Sequence, residues 1–151
     1  MSNTFSQLYL HVVLAVQNHG PLIHPEWKDE LYDIITDYLG KRGHTLVSIN
    51  GMADHIHVLL NLNPSQSVSD MIKLLKQESS EWINTFHPST QKFQWHEGYV
   101  VFSCSKDHVK HEMAYIAKQE THHKRISFRE EYKALLNKQE IQFQEPLFTN
   151  S

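Results

Sequence analysis

The sequence predicts an α+β fold: an antiparallel sheet carrying two helices on one face. Three observations predict it. Apolar patterning follows the order strand, helix, strand, strand, helix, strand. Only Met52-Ala53-Asp54 separates the two middle strands, so they form an antiparallel hairpin. And 151 residues with 40% hydrophobic content suffice for one core. A single domain over 1–151 is expected.

The elements follow in order. Leu8 to Val16 is apolar and β-branched and reads as a strand, broken by Asn18-His19-Gly20-Pro21. Pro25 marks a first helical turn, and Trp27, Leu31, Ile34, Ile35 and Tyr38 recur at helical spacing until Gly40 and Gly43 stop them. Thr45 to Gly51 and His55 to Leu62 are the hairpin strands, ended by Asn63-Pro64. Ser67 with Asp70 starts a second helix, whose face runs Val68, Ile72, Leu75, Ser79, Trp82, Phe86 before Pro88. Phe93 to Ser105, interrupted at Glu97-Gly98, is a kinked strand or a hairpin. A third helix spans about 107–120, with Val109, Met113, Ile116 and Ala117 expected to be buried. Ser127 and Glu130 start a fourth through Tyr132, Leu135 and Leu136. The β-α-β-β-α-β order is ferredoxin-like, with C-terminal helices added.

Composition excludes several classes. Charged residues are 21%, with no long Gly/Ser-rich or Pro-rich stretch, so the chain is not disordered. The longest apolar run, Val12 to Val16, is too short for a membrane span, and the N-terminus lacks a signal-peptide pattern. Cys104 is alone and cannot form an internal disulfide. A cytoplasmic protein with no membrane association is expected. Net charge is −3, with pI near 6.4, so any nucleic-acid binding must use local positive charge. Twelve histidines stand against fourteen Lys plus Arg.

Two groups of residues carry chemistry. His55 and His57, two apart on a strand, project together, while Ile56, Val58, Leu60 and Leu62 project toward the helices. A pair of imidazoles on a helix-free sheet face suits a divalent cation, or is simply polar surface. On the third helix, Tyr115 and Gln119 share one face, flanked by His108, His111 and His122. This stripe is either a solvated helix face or part of a site. Gln119 could complete the coordination begun by His55 and His57 and bring Tyr115 to the metal. Such a metal acts as a Lewis acid on phosphate. At neutral pH a free phenol is only about 0.1% ionised and is a weak nucleophile unless assisted.

His55-Ile56-His57 followed by Tyr115-Ile116-Ala117-Lys118-Gln119 resembles the single-tyrosine HUH transposases, the TnpA-like enzymes of small bacterial insertion sequences. The likeness extends through Tyr9 to Val13, Met52 to His57, Trp95 to Tyr99, Phe102-Ser103 and Tyr115 to His123. The resemblance implies that single-stranded DNA with hairpin ends is cut and rejoined through a 5′-phosphotyrosyl intermediate. It makes Tyr115 the catalytic nucleophile and His55, His57 and Gln119 the ligands of Mg²⁺ or Mn²⁺. It also implies a homodimer, whose tyrosine helix often completes the partner's site. Where the family often has Gln, this chain has His96, which is assigned no role. Asp54 is either an outer partner orienting a ligand imidazole or a turn residue. Lys73, Lys76, Lys124 and Arg125 are the DNA-binding candidates, the last two within His122-His123-Lys124-Arg125.

Rival readings fit less well. Histidine-triad hydrolases need a third histidine where Leu59 stands, and two-histidine phosphoesterases need a hydroxyl where His57 stands. A base-stacking module wants aromatics at positions 55 and 57. A histidine-rich metal-binding protein without chemistry would keep its function in Tyr115→Phe. A recruited relative acting on chromosomal palindromes is distinguished only by the DNA around the gene.

Overall fold

A computed structural model describes residues 4–139. In it, β1 (Tyr9–Ala15), α1 (Lys28–Lys41), β2 (Thr45–Met52), β3 (His55–Asn61), α2 (Val68–Phe86) and β4 (Val100–Cys104) follow the expected order. A 3₁₀ turn (Lys106–His108) leads into α3 (Val109–Ala117), α4 (Gln119–His122) and α5 (Phe128–Lys138). The sheet is antiparallel in the order β2-β3-β1-β4. This is the α+β, ferredoxin-like arrangement.

Alternation divides the sheet into two faces. Val12, Leu14, Ile56, Val58 and Leu60 pack with Leu31, Ile35 and Leu39 of α1 and Met71, Ile72, Leu75 and Ile83 of α2 in the larger core. The other face is not helix-free. Val13, Ala15, Val100 and Phe102 pack there against Phe128, Tyr132 and Leu136 of α5, forming a second core that buries His55 and His57 completely. An apolar stripe on α5 requires a partner, and the back of the sheet supplies one.

The hairpin is tight at Gly51. A Cβ there would lie 2.7 Å from Ile56 Cα and collide with the His55 carbonyl. Ser67 caps α2 by accepting from the Asp70 amide at 3.0 Å, and Ser127 caps α5 by accepting from the Glu130 amide at 3.2 Å.

Several boundaries differ from expectation. α1 begins at Lys28, after a turn over 25–27 in which Trp27 packs into the core. The 93–105 segment is a kinked edge, not a hairpin: Trp95 bridges to Val16 and Val100 pairs with Val13, both against the β1 side. Gly98, at φ +79°, makes the bend between them. Phe86, at the end of α2, is 65% exposed and lies off the buried face.

The third helix is divided at Lys118, and its faces are reversed relative to expectation. Ile116 is buried as expected, but Met113 and Ala117 are exposed while Gln119 is fully buried. Hydrogen-bonding partners on the sheet and α5 draw the polar stripe inward, which apolar periodicity alone cannot register. Asn50 of β2 donates to the Ile116 carbonyl at 3.0 Å, satisfying an otherwise open helix end.

Candidate metal and tyrosine site

The site lies between the back of the sheet and the helices from α3 onward. The pleat of β3 delivers His55 and His57, with ring centroids 5.1 Å apart. Phe128 of α5 stacks on His55, with centroids 3.9 Å apart and planes within 10°. Tyr115 and Gln119 come from α3 and α4, and the rings of Tyr115 and His57 meet edge to face at 5.6 Å. The structure therefore brings together the four residues at the centre of the expected site.

Glu131, which sequence reasoning did not single out, lies at their centre. Its side chain is 1% exposed. Oε1 lies 3.2 Å from His55 Nε2, 3.3 Å from His57 Nε2 and 2.9 Å from His123 Nε2. Oε2 accepts from the Tyr115 hydroxyl and, at 2.8 Å, from the Gln119 amide. His123 is also held at 3.1 Å from Gln119 Oε1, and its Nδ1 donates to the Ile126 carbonyl at 3.0 Å. The signal for Glu131 was present: a carboxylate between Phe128 and Tyr132 on the apolar stripe of α5. It looks like an ordinary first-turn acid, since Glu130 stands beside it.

Asp54, in the β2–β3 turn, has Oδ1 2.8 Å from His55 Nδ1. Lys124 and Arg125 are exposed in the turn after α4. Lys73 is exposed on α2, across the sheet from the site. Lys76 is engaged: its ammonium donates to the His96 carbonyl at 3.0 Å and the Gly98 carbonyl at 2.6 Å, bracing the kink before β4.

Burial and charge set the protonation states. Burial pushes the Glu131 carboxyl up, but the close imidazoles of His55 and His57, with the hydrogen bond from Tyr115, outweigh it and hold it well below the usual carboxylate range. Burial likewise opposes protonation of His55, yet Asp54 and Glu131 raise its pKa to about 9. At His57 burial dominates, and the value falls to about 4. Burial, then the hydrogen bond to Glu131 and its charge, raises Tyr115 well above a free phenol, so the hydroxyl keeps its proton and donates.

The donor set fits a divalent cation. Asp54 can only accept, which places the neutral His55 proton on Nδ1 and leaves Nε2 bare. The Ile126 carbonyl does the same for His123. Gln119 turns its amide nitrogen to Glu131 Oε2 and its oxygen toward His55. Lone pairs of His55, His123, Gln119 and Glu131 Oε1 therefore converge with few protons to share. A cation relieves this, and a proton on His55 does so only in part. Ligand atoms of His55, His57 and Glu131 all lie within 4.8 Å of one another, a spread suited to one ion held by nitrogen and carboxylate.

Comparison with known proteins places this geometry. The family model described as "Transposase IS200 like" matches residues 4–119, which include β1, the two β3 histidines, Tyr115 and Gln119 but stop short of Glu131. The ISDra2 transposase TnpA of Deinococcus radiodurans is 29% identical over 89 residues, 59% of this chain and 64% of that protein, so the chain matches less than two thirds of that relative's length. A crystal structure assigned as a transposase from Deinococcus radiodurans R1 superposes with a TM-score of 0.64 at 26% identity, covering 79% of this chain and 95% of that one. The structure of a REP-associated tyrosine transposase bound to a REP hairpin shares the fold, with a TM-score of 0.61 at 12% identity over 82% of this chain and 74% of that one. On the family match and the shared fold, this chain belongs to the IS200-like, single-tyrosine HUH transposase family.

Proposed function

We propose that the protein cuts and rejoins single-stranded DNA at hairpin-flanked ends, with Tyr115 as nucleophile and a divalent cation, Mg²⁺ or Mn²⁺, at His55, His57 and Glu131. One observation carries this reading: the Tyr115 hydroxyl and the two β3 histidines meet on opposite oxygens of one buried carboxylate. Gln119 and His123 supply further lone pairs at the same place. When bound, the cation supplies Lewis acidity to a phosphate oxygen.

The chain's own residues do the rest. Glu131 Oε2 holds the Tyr115 hydroxyl beside His57 and is the nearest acceptor for its proton. In cleavage the Tyr115 oxygen bonds to phosphorus while its proton, held in the hydrogen bond to Glu131, is lost to solvent. The phosphorus–O3′ bond breaks, and the departing oxygen takes a proton from solvent. Attack by a 3′-OH reverses these steps, and the phosphotyrosyl bond conserves the energy for joining. Asp54 orients His55, and Phe128 fixes its ring plane.

DNA is the proposed partner, supported by family membership and by the hairpin bound to the fold neighbour. Lys124 and Arg125, exposed beside the site, are proposed to meet its phosphates, and Lys73 to serve a more distant segment. A single catalytic domain, a homodimer and a cytoplasmic location belong to the same proposal. Among the described residues no helix is long and apolar enough to cross a membrane.

A covalent-adduct assay tests the proposal. With Mg²⁺ and labelled single strands from the flanks of its own gene, the protein should form a denaturant-resistant protein–DNA band. Tyr115→Phe should abolish the band and keep binding, because it removes one oxygen. Wild-type cleavage by Tyr115→Phe would refute the nucleophile assignment and direct attention to Tyr99 and Tyr132.

A further inference from the structure

A second line of side chains enters the site from the side away from Asp54. Glu112 of α3 places Oε2 3.0 Å from Nδ1 of His11 on β1. His11 Nε2 lies 2.8 Å from His57 Nδ1. Both histidines are buried, with ring centroids 5.0 Å apart. The line therefore runs Glu112, His11, His57, Glu131, across three contacts.

We propose that Glu112 and His11 are positioning residues that fix His57 as its Nδ1–H tautomer, keep its Nε2 lone pair turned to the metal position, and dock the tyrosine helix on β1. This rests on the reading of His57 as a metal ligand.

Proton counting carries the argument. Two neutral imidazoles bring one N–H each, so they can fill two of the three contacts. Glu112 is held ionised and only accepts, which places the His11 proton on Nδ1. His11 Nε2 is then bare and only accepts, which places the His57 proton on Nδ1. The contact left without a proton is the longest, the 3.3 Å approach of His57 Nε2 to Glu131 Oε1. With both rings neutral, the opposite polarity would set a bare His11 Nδ1 against the Glu112 carboxylate, two acceptors face to face, and only a second proton on His11 would turn the His57 N–H toward Glu131.

The same contact reaches the nucleophile. Glu112 precedes Tyr115 by three residues on α3, so both lie on one helix face. The Tyr115 ring meets His11 at 6.1 Å and His57 at 5.6 Å. Tying Glu112 to His11 therefore sets where Tyr115 stands above the histidine pair.

The test uses metal-free protein labelled with ¹⁵N-histidine, with His57 identified by its loss in His57→Gln. Long-range ¹H–¹⁵N spectra should show His57 as Nδ1–H. His11→Gln should preserve this, because its amide donates to Glu112 while its oxygen accepts from His57. His11→Phe, closer to imidazole in shape, should lose it and weaken Mn²⁺ binding, read by calorimetry, about 10–100-fold. Glu112→Ala should give mixed His57 tautomers and a loss toward the lower end of that range. A packing role alone predicts the reverse order for the two His11 variants. Wild-type His57 found as Nε2–H, or His11→Phe with an unchanged tautomer and Mn²⁺ affinity, overturns the proposal. A wild-type chain that shows the Nδ1–H tautomer but binds no Mn²⁺ upholds the tautomer relay and overturns the metal reading alone.

Discussion

At the scale of single residues, the site depends on groups whose neighbours restrict where protons reside. His44 provides a case outside it. Its Nδ1 accepts the Asn63 amide at 2.9 Å, which requires a neutral ring, while burial and then the Arg42 charge lower its pKa. The unfolded chain therefore gains a proton near pH 6.5 that the folded chain refuses, and this contribution to stability is lost as pH falls through that value. Urea unfolding of wild type and His44→Gln at pH 7.5 and 5.5 checks this. The variant, whose amide oxygen can still accept from Asn63, should lose less stability on acidification. Equal slopes would remove His44 from the account.

At the scale of elements, the β2–β3 hairpin determines where the two histidines stand. Gly51 faces backbone atoms of His55 and Ile56, which cannot retreat as a flexible side chain would. Gly51→Ala should therefore cost roughly 1–3 kcal/mol, a typical overpacking penalty. It should also reduce adduct formation by displacing His55, whereas an open site such as Gly40 should tolerate alanine without loss of activity. Chemical denaturation and the adduct assay measure the two effects. The hairpin was legible in the sequence because its register follows from alternation and a short turn. The orientation of α3 was not, since polar residues paired by hydrogen bonds look like surface until their partners are known.

At the scale of the whole molecule, the proposed cation would join elements distant in sequence. His55 and His57 belong to the sheet, and Glu131 reaches them from α5, 74 residues beyond His57. A ligand that binds only this assembled state stabilises it by mass action. Mn²⁺ at 100 times its Kd should add about 2.7 kcal/mol and raise Tm, and EDTA should reverse the rise. His57→Ala and Glu131→Gln should each abolish or strongly reduce it. A Tm indifferent to Mn²⁺ across millimolar concentrations would argue against the site. The acidic chain imposes a second condition at this scale: the proposed attraction for DNA would have to come from local cations, as proposed for Lys124 and Arg125, because the net charge of −3 repels phosphate.

The sequence by itself determined the element order, the split of β3 into an apolar face and a histidine face, and the pairing of Tyr115 with Gln119. Each was read from periodicity along the chain, which a linear pattern records, although the break at Lys118 puts Tyr115 and Gln119 on successive helices. Only the tertiary structure decided that α5 covers the histidine face, that Glu131 joins the histidines to the tyrosine, and that Glu112 and His11 support His57. Those relations link side chains 46 and 74 residues apart on different elements. Their physical basis is the satisfaction of buried donors and acceptors across the packed sheet, which local sequence periodicity does not encode.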